Sequence, residues 1–398
     1  MQSVTILGST GSIGQSTLDI IARHPDRFRV EALTAHSNIA LLFRQCLQFK
    51  PRFAVLKDEK LASELKTKLR EEKINTDVLF GADAIVQCAG DSASGIVVAS
   101  IVGSVGLLPT LAAVRAGKRI LLANKEALVM AADLFMRSVR EHHATLLPID
   151  SEHNAIFQCL PESFLPGKKL TGVQSIILTA SGGPFRTTPV HELKNVTVAQ
   201  AIAHPNWQMG PKISIDSATM MNKGLEVIEA FWLFGLPIEN IQVLIHPQSV
   251  VHSLVAFEDA SFLAQLGCAD MRIPITHALA WPNRIASGAK KLDLISIARL
   301  DFEPVSLDRF PCVRLAYQAL KAGGTATTIL NAANEIAVEA FCHNEIQFDQ
   351  ISTIIDAVMQ QADIVPASDL NIILNADQKT REFTTQLIKE SVYSLPVK

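Results

Sequence analysis

The chain has 398 residues, enough for two or three domains of about 150 residues each. Hydrophobic residues make up 48% of the sequence, so each domain can bury an apolar core, and the 20 glycines and 18 prolines exclude collagen-like and low-complexity architectures. The formal net charge of −3 excludes the broad basic surface on which nucleic-acid-binding proteins depend, so we expect no nucleic-acid partner.

The N-terminus and the cysteines favour a cytoplasmic protein. No basic segment precedes the first apolar run, so we expect no secretory signal. The six cysteines are spread singly without a C-x-x-C pair, which excludes a dithiol redox motif and suits a reducing compartment. Segment Ser92–Val114 carries no charge and is long enough to span a membrane, but its glycines and Pro109 favour a buried strand followed by a helix. We therefore expect no contact with a membrane.

The first 150 residues alternate between apolar, β-rich runs and helical segments. The predicted strands are Val4–Leu7, Phe28–Leu33, Phe53–Leu56, Val78–Phe80, Ile96–Ala99, Ile120–Leu122 and Thr145–Ile149. The helical segments between them include Ser16–Ala22, Ile39–Phe49 and Leu61–Glu71. This alternation predicts a parallel sheet with helices on both faces, a doubly wound, Rossmann-type α/β domain over residues 1–150.

The pattern after residue 150 is that of an α+β domain, which we place at residues 151–285. Its predicted elements are a strand at Ser175–Leu178, a helix from about Ser217 to Phe234, and a hairpin of Val251–Phe257 and Ser261–Leu266. Residues 286–311 have weak periodicity and predict a linker. Residues 312–398 predict a small C-terminal helical domain, with helices at Cys312–Ala322, Ala326–Phe341, Phe348–Gln361 and Asp377–Val392.

A glycine-rich turn after the first strand predicts a dinucleotide site. Segment Gly8–Gly14 opens a helix, so its backbone can approach a pyrophosphate at the helix N-terminus; a tight turn without a ligand is the alternative. NAD enzymes carry an acid at the end of the second strand, where Thr34–Asn38 contains none. His36, Ser37 and Asn38 can donate hydrogen bonds to a 2′-phosphate, which favours NADPH, unless His36 is only an exposed loop residue.

Polar residues follow the sixth and seventh predicted strands. Asp150 and Glu152 are two residues apart, so in an extended segment their carboxylates point to one side, where Mg²⁺ or Mn²⁺ can bind. Alternatively, Asp150 and Ser151 cap a helix, which the spacing alone favours. Asn124–Glu126 occupies another strand end, and ligands of open α/β sheets bind beyond such ends.

Segment Ser217–Glu229 combines a lysine with carboxylates on a predicted helix. Asn222, Lys223 and Glu226 share one polar face, as expected where a phosphate lies next to a metal. Alternatively, Lys223 and Glu226 form an exposed i, i+3 ion pair of little consequence. Glu229 lies one turn further on, and we expect it to support the site or the fold.

Two loops complete the candidate site. Ser181–Gly183 is a flexible turn whose backbone N–H groups suit an anion. Residues 204–210 follow a short helix and present Trp207 among proline and glycine, which predicts a lid within a loop near residues 201–211. The alternative is that Trp207 only anchors a packed loop.

These motifs follow one another along essentially the whole chain. They are Gly8–Gly14, Leu122–Glu126, Asp150–Asn154, Ser181–Phe185, His204–Trp207, Ser217–Glu226, His246–Ser249 and Asn331–Glu335. In this order they resemble the motifs of 1-deoxy-D-xylulose 5-phosphate reductoisomerases. Several long motifs in one order are far more specific than any one of them.

The resemblance implies an NADPH-dependent oxidoreductase that isomerises and reduces 1-deoxy-D-xylulose 5-phosphate to 2-C-methyl-D-erythritol 4-phosphate, in the MEP (non-mevalonate) pathway of isoprenoid biosynthesis. It implies one divalent ion per subunit, Mn²⁺ or Mg²⁺, on Asp150, Glu152 and Glu226. The catalytic residues it implies are Lys125, Asp150, Glu152, Glu226 and His204. The substrate contacts it implies are Lys125, Ser151, Glu152, Ser181, His204, Ser217, Asn222, Lys223 and Glu226. The NADPH contacts it implies are Thr10, Gly11, Ser12, Ile13, Asn38, Asn124, Glu126 and Gly210.

The resemblance also implies a homodimer, and two other functions stay open as alternatives. Another NADP-linked dehydrogenase, acting on a small phosphorylated carbonyl compound such as a semialdehyde, would need an activated cysteine. A non-enzymatic NADP-binding regulator would not need three carboxylates beside a phosphate site. Many relatives carry a basic residue where this chain has His36-Ser37, so we expect the NADPH preference to weaken above about pH 7 as histidine loses its charge. Equal NADPH-to-NADH ratios of kcat/KM from about pH 6 to 8 would contradict this.

Overall fold

The first 150 residues form a seven-stranded parallel sheet covered by helices. The computed structural model describes residues 1–168, 170–203, 207 and 210–393. The strands are β1 (Gln2–Leu7), β2 (Phe28–Thr34), β3 (Phe53–Leu56), β4 (Asp77–Phe80), β5 (Ile96–Ala99), β6 (Arg119–Leu122) and β7 (Thr145–Pro148). The helices are α1 (Ser12–Arg23), α2 (Ile39–Phe49), α3 (Glu59–Glu71), α4 (Gly81–Gly90), α5 (Leu107–Arg115) and α6 (Lys125–Glu141). The strand order is β4-β3-β2-β1-β5-β6-β7 with every pair parallel, which confirms the predicted doubly wound fold.

Burial on both faces explains the apolar strand sequences of this sheet. β5 is buried along its whole length, and its sequence is a continuous apolar run, as is typical of parallel strands. The uncharged segment Ser92–Val114 forms β5, a 3₁₀ turn and most of α5, as predicted for a buried strand followed by a helix. Within the part of the chain that the structure describes, no helix has the length and apolar character needed to cross a membrane.

The turn between β1 and α1 requires a glycine at position 14. A Cβ atom there would lie 2.5 Å from the carbonyl oxygen of Gly8 and from the backbone of Ser9. α1 therefore packs directly against the turn, and no side chain caps its first N–H groups, because its N-cap is Gly11. The N-terminus of α1 thus presents backbone donors beyond the carboxyl end of β1.

The middle of the chain contains a second, mixed sheet with helices against it. Its strands are β8 (Val173–Ala180), β9 (Ile241–Ile245), β10 (Val251–Phe257), β11 (Phe262–Leu266) and β12 (Glu303–Pro304), in the order β11-β10-β8-β9-β12. The helices are α7 (Ser151–Cys159), α8 (Val198–Ile202), α9 (Pro211–Ala218), α10 (Met221–Phe234) and α11 (Arg272–Ala280). β10 and β11 form the predicted antiparallel hairpin, whereas β8 and β9 are parallel. The prediction omitted β9 and β12.

The single helix predicted from Ser217 to Phe234 is wrong, because the chain breaks between α9 and α10. Met220 stands at the break with a φ of +61°, in the left-handed region that a helix cannot contain. The break lets α9 and α10 point in different directions while their adjoining ends stay close together. Both ends carry residues of the candidate site.

The C-terminal part is helical, as predicted. Its elements are α12 (Leu294–Ile297), α13 (Pro311–Ala322), α14 (Ala326–Cys342), α15 (Gln350–Gln361) and α16 (Leu370–Tyr393). α16 begins seven residues earlier than the predicted Asp377. The predicted linker contains α12 and also β12, which pairs with β9 of the mixed sheet. One buried cluster joins Val129 of α6 and Leu225 of α10 to residues of α13, α14 and α15, so these helices share a core with the middle of the chain.

Candidate active site

A cavity of about 600 Å³ lies where the carboxyl ends of the parallel strands meet the mixed sheet. The predicted site residues that line it are Ser12, Ile13, Lys125, Asp150, Ser151, Glu152, Ser181, Gly210, Ser217, Asn222, Lys223 and Glu226. These residues lie just after β1, β6, β7 and β8, mostly in the first turns of the helices that follow, and at or in α9 and α10. The fold therefore brings the predicted metal, phosphate and cofactor residues to one space, as expected for a ligand site of a doubly wound sheet.

Three carboxylates meet at one side of this cavity. Asp150 and Glu152 lie at the start of α7 and Glu226 lies in α10, and each offers an oxygen within 4.8 Å of the others. Glu226 is fully buried, whereas Asp150 and Glu152 are partly exposed to the cavity. Carboxylate oxygens are the ligands that Mg²⁺ and Mn²⁺ prefer, so the donor set fits a divalent cation of this kind.

Asp150 caps a helix and also faces the cavity. Its side chain caps α7 by accepting a hydrogen bond from the backbone N–H of Glu152, at 3.3 Å, so the capping interpretation is confirmed. The extended arrangement assumed for Asp150 and Glu152 is wrong, because Glu152 belongs to the helix. The two carboxylates still face the same cavity, since both lie in the turn that begins α7.

Lys125 lies between the carboxylates and the polar face of α10. It begins α6, and the side chain of Asn124 caps that helix by accepting from the backbone of Ala127, at 2.7 Å. Its ammonium lies 2.7 Å from Asp150 Oδ2 and 3.4 Å from Glu226 Oε1, and donates to Asn222 Oδ1 at 2.8 Å. Lys125 thus contacts two of the three carboxylates and the polar face of α10 with one side chain.

The predicted phosphate residues surround the other side of the cluster. Ser217 lies near the end of α9, and Asn222 and Lys223 lie in the first turn of α10, just past the break. Asn222 and Lys223 both donate hydrogen bonds to Glu226, so the predicted shared polar face is confirmed. The alternative of an exposed ion pair is wrong, because Lys223 is only 3% exposed. Lys223 also lies 3.1 Å from Glu152 Oε1.

The electrostatic balance of the cluster favours a bound cation. Burial, together with the carboxylates of Asp150 and Glu152, raises the pKa of Glu226 to about 7. Burial works in the same direction at Asp150, but there the Lys125 ammonium outweighs it and holds the pKa below its usual range. A divalent cation would hold all three groups ionised, because like charges this close repel one another without one.

A buried pair behind the carboxylates was missed by the sequence. His153 Nδ1 lies 3.1 Å from Glu229 Oε2, and His153 Nε2 lies 2.9 Å from the backbone oxygen of Glu226. Burial lowers the pKa of His153, but the carboxylates of Glu229, Asp150 and Glu226 together outweigh burial and raise it to about 9. Glu229 thereby supports the site, as expected. The helical spacing of Glu226 and Glu229 was the available signal for this position, whereas the fold alone brings His153 to it.

The predicted cofactor residues occupy two kinds of position. Ser12 and Ile13 line the cavity at the N-terminus of α1, next to Thr10 and Gly11 in the glycine turn. Three others use their side chains in contacts with the protein itself. Asn38 caps α2, Asn124 caps α6 and donates to the backbone oxygen of Gly103 at 2.9 Å, and Glu126 pairs with Lys212 at 2.7 Å. The predicted NADPH contacts of both groups stay predictions.

The predicted lid is described only in part. His204 lies outside the described residues, as do residues 205, 206, 208 and 209. Trp207 lines the cavity with its ring centroid 6.0 Å from that of His252, and Gly210 lines it beside α9. His252, Asp270 and Met271 also line the cavity and were missed by the sequence, whereas Ser249 belongs to the His246–Ser249 motif. His252 lies in β10 and the other three flank the strands of the predicted hairpin.

Comparison with known proteins identifies the family. A model described as 1-deoxy-D-xylulose 5-phosphate reductoisomerase matches residues 4–132, and two models of the C-terminal domain of these enzymes match residues 146–234 and 266–383. The 1-deoxy-D-xylulose 5-phosphate reductoisomerase of Dechloromonas aromatica is 56% identical over 394 residues, 99% of each chain. The chain belongs to the 1-deoxy-D-xylulose 5-phosphate reductoisomerase family. The reductoisomerase of Cellvibrio japonicus is likewise 56% identical and covers 97% of this chain.

Solved structures of reductoisomerases have the same fold. One, in complex with NADPH, fosmidomycin and magnesium, is 47% identical with a TM-score of 0.92, and 98% of each chain is covered. The reductoisomerase from Zymomonas mobilis, in complex with NADPH, is 45% identical with a TM-score of 0.89, covering 97% of this chain and 98% of that one. These likenesses confirm the predicted resemblance and the predicted fold class along almost the whole chain.

Proposed function

We propose that this chain catalyses the reaction of its family, the NADPH- and divalent-metal-dependent conversion of 1-deoxy-D-xylulose 5-phosphate to 2-C-methyl-D-erythritol 4-phosphate in non-mevalonate isoprenoid biosynthesis. One observation carries the proposal: a single cavity contains three clustered carboxylates, a lysine with serine and asparagine side chains, and the N-terminus of the helix after the glycine turn. Solved relatives with 47% and 45% identity bind NADPH, and one of them binds magnesium as well. The reductoisomerase reaction needs a divalent cation, a phosphorylated substrate and NADPH in one place.

Asp150, Glu152 and Glu226 hold the divalent cation, and their oxygen donors suit Mg²⁺ and Mn²⁺ alike. When bound, this cation supplies a Lewis acid and a template for the vicinal hydroxyl and carbonyl oxygens of the substrate. Ser151, next to Asp150, donates to Glu152 Oε2 at 2.6 Å and so orients one of the carboxylates. His153 and Glu229 support the cluster from behind through the backbone of α10.

The remaining predicted residues bind the organic parts of the reaction. Lys125 places its ammonium at the carboxylates, where it can stabilise negative charge on the substrate oxygens or hold a proton for them. The substrate phosphate binds to Ser181, Ser217, Asn222 and Lys223. His204 contacts the substrate from the lid. NADPH binds along the turn through Thr10, Gly11, Ser12 and Ile13 and is further contacted by Asn38, Asn124, Glu126 and Gly210.

The test follows NADPH absorbance with purified protein, 1-deoxy-D-xylulose 5-phosphate and Mg²⁺ or Mn²⁺, and repeats it with a chelator. We expect oxidation that the chelator abolishes, and Glu226→Gln should lower kcat/KM on the order of 1,000-fold because it removes a metal ligand. Glu239→Gln is the matched control, since the same change at an exposed position should leave kcat/KM within about twofold. NADPH binding without oxidation in the wild-type protein would contradict the proposal.

The cysteine-dependent dehydrogenase is the weaker alternative. Burial raises the pKa of Cys46 and of Cys312 to about 12, which disfavours the thiolate that such an enzyme needs. Among the described residues no cysteine lines the cavity. A regulator without catalytic activity is also disfavoured. The three clustered carboxylates repel one another and so destabilise the fold, and a regulator would have no need of the metal site that they form.

We also propose that the enzyme is a cytoplasmic homodimer with the domain bounds expected from the sequence. The six cysteines are free thiols, which supports a reducing compartment. Phe262 and Leu263 on the edge strand β11 are 57% and 50% exposed, and strand pairing with a second copy would cover them. Sedimentation equilibrium should give twice the mass of the chain, and a monomer at micromolar concentration would contradict the homodimer.

A further inference from the structure

Four side chains, three buried and one partly buried, join three parts of the protein beside the active site. Lys212 Nζ lies 2.7 Å from Glu126 Oε1 and 2.8 Å from Asp216 Oδ2, and Asn334 Nδ2 donates to Asp216 Oδ1 at 2.9 Å. We call Glu126, Lys212, Asp216 and Asn334 the junction network. Glu126 belongs to α6, Lys212 and Asp216 to α9, and Asn334 to α14, so the network connects the parallel-sheet domain, the middle of the chain and the C-terminal helices.

The network holds α9 by the helix face next to the one that lines the cavity. Ile213 and Ser217, four residues apart, line the cavity. Lys212 and Asp216 are also four residues apart and point to α6 and α14. Residues four apart share one face of a helix, so these two pairs lie on adjacent faces of the same two turns. Any movement of Asp216 is therefore passed on to Ser217, its neighbour in the helix.

The other end of the network lies beside the catalytic lysine. Glu126 follows Lys125 directly in the first turn of α6. Lys212 forms ion pairs with both Glu126 and Asp216, and it thereby fixes the distance between their chain neighbours Lys125 and Ser217. A substrate that is held at one end by its phosphate and at the other by its reacting oxygens has to match this separation.

Asn334 lowers the stability of the folded protein, and a specific contact explains why an asparagine stands there. It is fully buried, and its Oδ1 has no hydrogen-bond partner among the described residues. An unsatisfied buried oxygen destabilises the folded state, and an apolar side chain would avoid this. The compensating contact is the hydrogen bond from Nδ2 to the buried carboxylate of Asp216, which no apolar residue could form.

We propose that Asn334, acting through Asp216, is a positioning residue that sets the place of the phosphate-binding end of α9 relative to Lys125. The inference rests on the proposed function for the identity of the substrate. It gives the C-terminal helices a part in substrate binding, although none of their residues lines the cavity among those that the structure describes. It also accounts for the Asn331–Glu335 motif, to which the reaction itself assigns no role.

The experiment compares Asn334→Asp, Asp216→Asn and the double variant that exchanges the two side chains. Asn334→Asp places two carboxylates side by side, so we expect the KM for 1-deoxy-D-xylulose 5-phosphate to rise about tenfold while the KM for NADPH stays within about twofold. The exchanged pair restores one amide and one carboxylate, and we expect it to recover most of the lost substrate affinity. The dissociation constant of inorganic phosphate, measured by calorimetry, should follow the KM for substrate.

Asn331→Asp is the matched control. Asn331 is also fully buried in α14 with an unpartnered Oδ1 among the described residues, but its Nδ2 donates to Glu335 at 3.1 Å instead of to Asp216. We expect this variant to lose stability while keeping the KM for substrate within about twofold, because its side-chain amide is bonded to Glu335 and not to Asp216 of α9. If Asn334→Asp does not fold, Asp216→Asn is compared with the exchanged pair in the same way.

Three outcomes would overturn the proposal: an equal rise in both KM values, an exchanged pair no better than the single variant, or a phosphate affinity that is the same in wild type and variants. A wild-type protein that does not oxidise NADPH with this substrate would contradict the proposed function. The phosphate calorimetry needs no turnover, so it would still test the junction network.

Discussion

Glu226 is the residue that couples metal binding to pH. Its pKa is raised to about 7 by burial and by the carboxylates of Asp150 and Glu152. A divalent cation binds the ionised carboxylate, so below pH 7 binding has to displace a proton, and above it the proton has already left. We expect the apparent affinity for Mn²⁺ to fall about tenfold per pH unit below pH 7 and to level off above pH 8.

Calorimetric titration with Mn²⁺ in buffers of different ionisation enthalpy measures this directly. At pH 6 the heat should depend on the buffer, in proportion to about one released proton, and at pH 8 the dependence should disappear. Glu226→Gln cannot release this proton, so its weaker binding should show no dependence on the buffer at either pH. Buffer-independent heat at pH 6 in the wild-type protein would show that Glu226 is already ionised there.

Single residues were predictable from the sequence where their chemistry and their position in a motif agree. Asp150, Glu152 and Glu226 have the chemistry of a metal site, but only the resemblance united them, because the turn before Glu152 and the helix of Glu226 are far apart in the chain. Asp150 also shows that one side chain can cap a helix and face a cavity at once. The contact of His153 with Glu229 depends on how α7 packs on α10, which no local pattern encodes.

At the scale of elements, the turn between β1 and α1 makes a direct prediction about Gly14. A Cβ atom at this position would collide with the backbone of the turn, and backbone cannot move aside as a flexible side chain can. Gly14→Ala should therefore push α1 away from the turn and raise the dissociation constant of NADPH at least about tenfold. Fluorescence titration with NADPH measures the effect.

Gly95→Ala is the control for this change. Gly95 precedes β5, and a Cβ atom there would meet nothing within 4 Å, so its NADPH affinity should equal that of the wild type. If Gly14→Ala binds NADPH as tightly as the wild type, the close packing of α1 against the turn is not needed for NADPH binding, and the prediction is wrong.

Helices and strands were predictable where the hydrophobic pattern of the sequence is strong. They were not predictable where the backbone adopts an unusual conformation or a strand is very short. The parallel strands were found because burial on both faces leaves continuous apolar runs. The break between α9 and α10 was missed because Met220 takes a positive φ that glycine usually provides, so no breaker marks it in the sequence. β12 has only two residues and is a strand only because it pairs with β9. The local sequence contains no signal for this pairing.

At the scale of the whole molecule, the C-terminal helices are built into the rest of the protein. Thr327 and Thr328 of α14 donate to the backbone oxygens of Val129 and Met130 in α6, at 2.7 and 2.8 Å. Further along α14, Glu335 pairs with Arg381 of α16, which also donates to Ser104 next to α5. The sequence did not show these contacts, because nothing in a helical pattern says what the apolar face of a helix will cover.

A shared core predicts that the helices α13–α16 do not unfold on their own. Thr328→Val keeps the shape of the side chain but removes its hydrogen bond to α6, which should lower the free energy of unfolding by about 1–2 kcal/mol. Because the buried cluster spans α6, α10 and α13–α15, we expect one calorimetric transition that shifts as a whole to lower temperature. Thr353→Val, at an exposed position in α15, should leave the transition where it is. Two separate transitions, of which Thr328→Val shifts only one, would contradict this prediction. They would mean that the C-terminal helices unfold independently and that the contact of α14 with α6 does not couple the two parts.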